Sequence, residues 1–190
     1  MRTPGSGLSR FDDLRPITST DAASGFRCEH EALNVFFRQY ATQQGRREEN
    51  RTWVLPRPEN AAGLPLVLGF YTLAMTQVER GTLPAPIIKR LPDYPIRAFL
   101  VGRLARDERC KRMGVGEHLL DDAHRRILRV NAEAGGLLAI VDAKDAQAAK
   151  FYADRGYAPL VRAEAEANRW PQRLYVTLAT LRASYVAASR

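Results

Sequence analysis

The chain has 190 residues, of which 45% are hydrophobic and 26% charged, and its formal net charge is +8. These values indicate a globular protein with a core of its own. No apolar run approaches the ~20 residues that a membrane-spanning helix needs. Met1–Arg10 lacks the apolar segment of a secretory signal, and Cys28 and Cys110 make neither a disulfide framework nor a zinc site. We therefore expect a cytoplasmic protein without a metal. The excess positive charge either attracts polyanions or serves only to keep the surface well hydrated.

The first half of the chain predicts a helix followed by a β-hairpin. Residues 1–12 are expected to form a flexible tail. Apolar runs predict strands at 14–18, 52–55 and 66–74, and Pro56–Pro65 is rich in turn residues, as in a hairpin loop. A helix is predicted from Glu29 to Gln43. The residues expected to share one face of it are Leu33, Phe36, Phe37 and Tyr40.

The second half alternates strands with helices. Gly81–Pro95 contains four prolines and is predicted to be irregular, with at most one turn of helix near 87–90. Strands are predicted at 96–105, 137–142 and 173–178. Helices are predicted at 114–134 and after Asp145, which is a candidate N-cap, as far as Arg155. The order β-α-β-β-β-α-β-α-β indicates an α/β fold with a mixed sheet. We expect one domain over 13–182 and a C-terminal tail over 183–190.

The loop Lys111-Arg-Met-Gly-Val-Gly116 contains two closely spaced glycines and connects the predicted strand at 96–105 to the predicted helix at 114–134. Glycines let the backbone approach an anion closely, and the N–H groups at a helix start favour negative charge. Arg109, Lys111 and Arg112 add positive charge, so this stretch predicts a phosphate site. The Gly-Lys-Ser/Thr pattern of nucleotidases is absent, and so are the third glycine and following acidic residue of dinucleotide sites.

The chain resembles the GNAT superfamily of acetyl-coenzyme A-dependent N-acetyltransferases. Lys111–Gly116 is similar to that family's pyrophosphate loop, Arg/Gln-x-x-Gly-x-Gly/Ala, with lysine at the first position. Phe151-Tyr-Ala-Asp-Arg-Gly-Tyr157 is similar to its Phe-Tyr-x-x-x-Gly-Phe/Tyr motif. The resemblance implies a mixed, mostly antiparallel sheet with flanking helices, and acetyl-coenzyme A as the cofactor.

Further segments resemble the GNAT toxins of bacterial toxin–antitoxin systems. They are Phe26–Phe37, Gly69–Leu73, Gly102–Ala105, Val141–Asp145 and Arg173–Leu181. The resemblance implies acetylation of the α-amino group of aminoacyl-tRNA, which blocks translation. It also implies a ribbon-helix-helix antitoxin as a partner, and a homodimer.

The resemblance assigns the cofactor to the loop and the strand before it. Backbone N–H groups would hold the pyrophosphate, the strand end would pair with the pantetheine arm, and Arg109 or Arg112 would contact a phosphate. The alternative for each arginine is ordinary surface charge, and the alternative for Asp145 is the N-cap. The candidate cofactor residues are Leu104, Ala105, Arg106, Arg109, Lys111, Arg112, Met113, Gly114, Val115, Gly116, Glu117 and Asp145.

Tyr152 is the candidate general acid, because a phenol can give a proton to the leaving thiolate. The alternative is a core aromatic beside Phe151. The sequence identifies no base: His118 and His124 are expected to be exposed helix residues, and an α-amine with a pKa of about 7.7–8.0 is partly deprotonated near neutrality.

Basic residues outside the loop are candidate contacts for tRNA phosphates. Each is also an ordinary solvated side chain when considered alone. They are Arg38, Arg46, Arg47, Arg51, Lys89, Arg90 and Arg97.

Two other functions fit the same motifs. One is a GNAT enzyme that acetylates a small-molecule amine or a protein N-terminus, although the positive charge suits cationic amines poorly. The other is a domain that binds coenzyme A without catalysis, which the presence of Gly114, Gly116 and Tyr152 argues against.

Overall fold

The computed structural model describes residues 11, 13–89, 93, 95–160 and 169–188. Its strands form a seven-stranded sheet in the order β1-β2-β3-β4-β5-β7-β6. The strands are β1 (Arg15–Pro16), β2 (Arg51–Pro56), β3 (Val67–Val78), β4 (Ile96–Arg106), β5 (Leu138–Ala143), β6 (Ala158–Pro159) and β7 (Gln172–Thr177). The helices are α1 (Ser19–Ala22), α2 (Glu31–Val35), α3 (Ala41–Arg46), α4 (Ala85–Ile88), α5 (Val115–Ala134), α6 (Ala146–Ala153) and α7 (Leu178–Ala188). The predicted α/β fold with a mixed, mostly antiparallel sheet is confirmed.

The described residues divide into two compact units. The N-terminal unit comprises the residues up to Ala74 together with Val101–Arg126. Its β1, β2 and β3 pair antiparallel, and Trp53 lies opposite Tyr71. Its core contains the rings of Phe26, Phe37 and Phe70, whose centroids are 4.7–5.3 Å apart.

The C-terminal unit comprises Met75–Leu100 and the residues from Ile127 onward. Strand β7 pairs antiparallel with β5, with Asp142 opposite Arg173, and on its other edge with β6. The apolar core of this unit includes Ile96, Leu138 and Ile140, all fully buried. The prediction of a single domain over 13–182 stays a prediction. Helix α7 passes position 182 and continues to Ala188.

Instead of the single helix predicted at 29–43, residues 31–46 form a continuous helical segment that is not one regular α-helix. A π-helix over Phe36–Tyr40 separates α2 from α3, and the backbone N–H of Ala41 donates to Phe36 O, five residues back. The wider turn changes the helical spacing. Phe36 and Phe37 are buried as predicted, but Tyr40 is 45% exposed, so its placement on the same apolar face was wrong.

Short elements and boundaries account for the other differences. The sequence did not predict α1, β6 or α7. The closing strand predicted at 173–178 is observed as β7 and ends at Thr177, and α7 begins at Leu178. Residues 1–10 and 12 of the predicted tail lie outside the described residues. Within the part of the chain that the structure describes, no helix is both long and apolar enough to cross a membrane.

Candidate cofactor and acceptor sites

The strand end, loop and helix start predicted to bind phosphate lie together in the N-terminal unit. Strand β4 ends at Arg106, a 3₁₀ turn covers Glu108–Cys110, and α5 begins at Val115. Arg112 and Gly114 have φ angles of +62° and +84°. Glycine adopts this left-handed conformation readily, whereas for arginine it costs energy and is typical of functional loops.

The start of α5 presents backbone donors. The N–H of His118 donates to Gly114 O at 3.0 Å, which is the first bond of the helix. The N–H groups of Val115 and Gly116 precede that donor and have no acceptor within the helix. Together with the helix dipole, such groups bind an anionic phosphate, so this geometry fits a pyrophosphate.

A buried carboxylate, Asp107, shapes the loop. It is 0% exposed. Its oxygens accept the Arg27 N–H at 3.1 Å, the Arg109 N–H at 3.0 Å and the Arg109 guanidinium at 2.7 and 2.9 Å. Burial alone would raise the pKa of Asp107, but the hydrogen bonds from Arg109 and Arg27 outweigh it and hold the pKa below its ordinary value. Sequence reasoning missed Asp107, because its role depends on a partner 80 residues earlier in the chain.

Close packing fixes the strand before the loop. A Cβ at Gly69 on β3 would lie 2.8 Å from Ala105 O, 2.8 Å from Leu119 Cδ1 and 3.0 Å from Val115 Cγ1. Only glycine allows β3 to lie this close to the end of β4 and the first turns of α5. Asp107 N–H adds a hydrogen bond of 2.8 Å to Leu68 O.

The cationic side chains of the loop differ in their partners. Arg109 forms the ion pair with Asp107, which engages its Nε and one terminal nitrogen. Lys111 and Arg106 both approach Glu29 Oε1, at 3.2 and 3.6 Å. Arg112 is exposed and forms no ion pair with a described residue. Of the predicted phosphate-contacting side chains, Arg112 is therefore the most available.

The remaining loop candidates could contribute to a cofactor site only through the backbone or by packing. Ala105 and Val115 are buried, Leu104 and Met113 are half-buried, and Glu117 is exposed. Their side chains supply no positive charge.

Asp145 lies in the C-terminal unit and caps α6. Its Oδ1 accepts the Ala148 N–H at 2.7 Å, and its Oδ2 accepts from Lys144 Nζ at 2.6 Å. The predicted N-cap is confirmed. These bonds already engage both carboxylate oxygens.

Tyr152, the candidate acid, lies on α6 with only 6% of its surface exposed. Its ring packs against Phe151 and Tyr157, with centroids at 5.1 and 5.6 Å. Among the described residues the Tyr152 hydroxyl has no hydrogen-bond partner. Burial, reinforced by the charge of Asp142, raises the pKa of Tyr152 well above its ordinary value, so the phenol remains protonated near neutrality.

The histidines of α5 are less exposed than predicted. His124 is 6% exposed and His118 is half-buried, with its ring centroid 5.3 Å from that of Phe11. The expectation of two exposed histidines was wrong. His124 lies four residues after Leu120 and three before Ile127, both buried, so helical spacing places all three on the same face.

Four of the arginines predicted to contact tRNA phosphates lie in the N-terminal unit. Arg38, on the π-helix, pairs with Glu31 at 2.8 Å. Arg46, Arg47 and Arg51 are exposed around the turn between α3 and β2, where Glu48 and Glu49 approach Arg51 and Arg47 to 3.8 and 3.9 Å. Because these ion pairs are long and exposed, they are weak, and phosphates could replace the glutamates as partners of the arginines.

The other candidates are separate from that turn. Lys89, after α4, and Arg97, on β4, are exposed residues of the C-terminal unit. Arg90 lies outside the described residues.

A mixed, mostly antiparallel sheet with a strand that leads through a phosphate-type loop into a long helix is the arrangement of GNAT acetyltransferases. Comparison with known proteins supports this class and, within it, indicates the toxins that acetylate tRNA. A tRNA-acetylating toxin of Mycobacterium tuberculosis is 31% identical over 146 residues, which cover 76% of this chain and 83% of that protein. The chain belongs to the family of this toxin. No protein-family model matches it.

Solved structures of similar toxins share the fold. A mutant of KacT aligns with a TM-score of 0.78 and 25% identity, over 90% of this chain and 97% of KacT. AtaT in complex with acetyl-methionyl-tRNAfMet aligns with a TM-score of 0.77 and 26% identity, over 91% of this chain and 98% of AtaT. AtaT is also solved with acetyl-coenzyme A and with the C-terminus of its antitoxin AtaR.

Proposed function

We propose that this protein transfers the acetyl group of acetyl-coenzyme A to the α-amino group of aminoacyl-tRNA and thereby stops translation. The observation that carries the proposal is the loop from Arg106 to Val115, with its helix-start donors, in a chain whose relative is a tRNA-acetylating toxin. Acetyl-coenzyme A supplies an activated acetyl thioester to an attacking amine. Both substrates carry phosphates, which accords with the net charge of +8.

The loop residues bind and orient the cofactor. The N–H groups of Val115 and Gly116 and the side chain of Arg112 hold the pyrophosphate. The end of β4, from Leu104 to Arg106, orients the amide-bearing pantetheine arm in the manner of an added strand. Fixing the thioester in this way lowers the entropic part of the barrier.

Tyr152 donates a proton to the sulfur that leaves. Its raised pKa keeps the hydroxyl protonated at physiological pH, and a hydroxyl without a described hydrogen-bond partner can turn towards a developing thiolate. The α-amine of an aminoacyl ester needs no strong base, since an ordinary α-amine has a pKa of about 7.7–8.0.

The direct test incubates the purified protein with a pool of charged tRNA and acetyl-coenzyme A. Mass spectrometry of the released aminoacyl-adenosines should detect N-acetyl products for a subset of amino acids. A translation extract should be inhibited only when acetyl-coenzyme A is present. Acetylation of added polyamines or peptide N-termini, with the tRNA unmodified, would instead establish the alternative enzyme class.

The partners follow from the same function. AtaT has an antitoxin, AtaR, and we infer that this chain also has one, of the ribbon-helix-helix type. We infer further that the toxin is a cytoplasmic homodimer. Co-expression with a short reading frame that encodes a ribbon-helix-helix protein, if one adjoins the gene, should relieve toxicity. Light scattering should give twice the 21.3 kDa chain mass for the isolated toxin.

A further inference from the structure

One arginine of the N-terminal unit lies over an aromatic ring and, among the described residues, has no carboxylate partner. The guanidinium carbon of Arg103, on β4, lies 3.9 Å from the centroid of the Phe36 ring. The Arg103 backbone N–H donates to Thr72 Oγ1 at 3.1 Å, which fixes the strand at this point. Among the described residues, no carboxylate lies within ion-pair distance of Arg103.

Other half-buried arginines among the described residues have polar partners, which are carboxylates for Arg126 and Arg173 and backbone carbonyls for Arg57. Arg126 binds Asp122 at 2.7 Å, and Arg173 binds Asp142 at 2.8 Å. Proteins seldom bury such a group without a partner, because desolvation penalises the charged form. Burial lowers the pKa of Arg103, in keeping with a charge that is partly desolvated and lacks a carboxylate. An anionic ligand would supply the missing partner.

The platform beneath Arg103 is rigid. Phe36 is 5% exposed, and its ring stacks with that of Phe70 at 6.1 Å and 27°. Phe36 also begins the π-helix, a rare element that is frequent at functional sites. A guanidinium held over a fixed ring can still present its N–H groups to a phosphate in a planar, two-bond contact.

The position of Arg103 favours a contact with tRNA, the proposed acetyl acceptor, rather than with the cofactor. Its side chain packs on the π-helix that carries Arg38 and that continues through α3 to Arg46. The phosphates of the cofactor already have the helix-start donors of α5 and Arg112. Arg103 therefore contacts the π-helix, which carries or precedes the arginines predicted to contact tRNA.

We propose that Arg103 binds a backbone phosphate of the tRNA acceptor, with Phe36 as the platform that orients its guanidinium. The proposal rests on the proposed function, since it requires tRNA to be the substrate. It makes Arg103 a residue for substrate positioning, beyond the cationic candidates that the sequence indicated.

The test compares Arg103→Ala and Arg103→Lys with Arg125→Ala, which removes an exposed arginine of α5 that pairs with Asp121. Binding of charged tRNA is measured at several salt concentrations, and binding of acetyl-coenzyme A is measured separately. Arg103→Ala should weaken tRNA binding about tenfold or more, because hydrogen bonds to charged groups contribute about 1.5–3 kcal/mol. It should also make the dependence of log affinity on log salt shallower by about 0.7–0.9.

Arg103→Lys should keep the salt slope and lose affinity, because it keeps the charge but not the planar pair of donors. Arg125→Ala should match the wild type in both measurements. A loss of acetyl-coenzyme A affinity with tRNA binding intact would overturn the proposal in favour of a cofactor phosphate. Unchanged binding of both ligands by the folded Arg103→Ala protein would make Arg103 a packing residue.

Two controls separate this proposal from the proposed function. Thermal unfolding establishes that each variant is folded, and Phe36→Leu, which keeps Arg103 but removes its ring platform, should lower tRNA affinity in the same direction as Arg103→Lys. If wild-type protein neither binds nor acetylates tRNA, the proposed function and this inference both fail. If wild-type protein acetylates tRNA and the Arg103 variants bind it normally, only this inference fails.

Discussion

At the scale of single residues, Tyr152 combines burial with a hydroxyl that has no described hydrogen-bond partner. Tyr152→Phe removes only that oxygen, so the packing of the ring against Tyr157 should remain and the protein should fold. Loss of a general acid typically lowers the rate about 10²–10⁴-fold. We expect kcat for tRNA acetylation to fall within that range with little change in KM for acetyl-coenzyme A. Near-normal turnover by the folded variant would remove Tyr152 from the mechanism.

The pH profile provides a second test of Tyr152. Because burial raises the pKa of its phenol, the acid should stay protonated throughout the neutral and mildly alkaline range. Deprotonation of the attacking amine, with a pKa of about 7.7–8.0, should then control the rate. We expect kcat/KM to rise from about pH 6 and to level off near pH 9 without an alkaline decline. A decline below pH 9 would mean that the essential acid has an ordinary or lowered pKa.

Asp107 stabilises the cofactor loop through its charge as well as its hydrogen bonds. Asp107→Asn keeps the shape but leaves Arg109 without a carboxylate, and should cost about 1–3 kcal/mol in the free energy of unfolding. Since the folded pKa of Asp107 lies below its ordinary value, its contribution is present above the unfolded pKa and disappears as pH falls through the folded pKa. The variant should therefore be less stable than wild type at neutral pH and closer to it under strongly acidic conditions. Urea unfolding measures this difference, with the exposed pair residue Asp154, changed to Asn, as the control.

At the scale of elements, Gly69 determines how closely β3, β4 and α5 pack. Gly69→Ala places a methyl group against Ala105 O and Leu119, and the backbone oxygen cannot rotate away. Overpacking of this kind costs about 1–3 kcal/mol, and here it should also move the end of β4. We expect lower stability in urea and a higher KM for acetyl-coenzyme A. Gly63→Ala, with no atom within 4 Å of the new Cβ, is the matched control and should change neither. Equal behaviour of the two variants would refute this packing role.

Local patterns predicted the parts of the molecule that local forces determine. The loop at 109–116 and the cap at Asp145 follow from residue types at fixed spacing, and the structure has the corresponding turn, helix start and N-cap. The π-helix at Phe36–Tyr40 did not follow, because the prediction assumed the regular spacing of an α-helix; Phe36 and Phe37 at its start pack in the aromatic core. Tyr40 was misplaced for the same reason.

Contacts between distant residues were outside the reach of sequence patterns. Asp107 and Gly69 look ordinary in sequence. In the fold, Asp107 links the loop to the backbone of Arg27, and Gly69 packs against α5. Arg103 lies within Gly102–Ala105, a segment that resembles the GNAT toxins, and no feature of the local sequence distinguishes it from other arginines. That no described carboxylate pairs with Arg103 becomes visible only once the neighbouring strands and helices are in place.

At the scale of the whole molecule, much of the positive charge is distributed over short-range ion pairs. Arg38, Arg47 and Arg51 all have acidic neighbours within 4 Å. The net charge of +8 nevertheless remains after all acidic residues are counted. Such an excess concentrates a polyanion near the protein at low salt and does so less as the ionic strength rises.

This charge predicts how acetylation should depend on salt. Each phosphate neutralised by the protein should contribute about −0.7 to −0.9 to the slope of log affinity against log salt, so three contacts give a slope of about −2 or steeper. We expect KM for charged tRNA to rise steeply between ~50 and ~200 mM salt. An aminoacyl-adenosine substrate, which lacks the polynucleotide phosphates, should show little change at the same concentrations. A flat response for full-length tRNA would mean that recognition depends on the aminoacyl end alone, and that the basic residues around Arg46 and Arg51 serve only to solvate the surface.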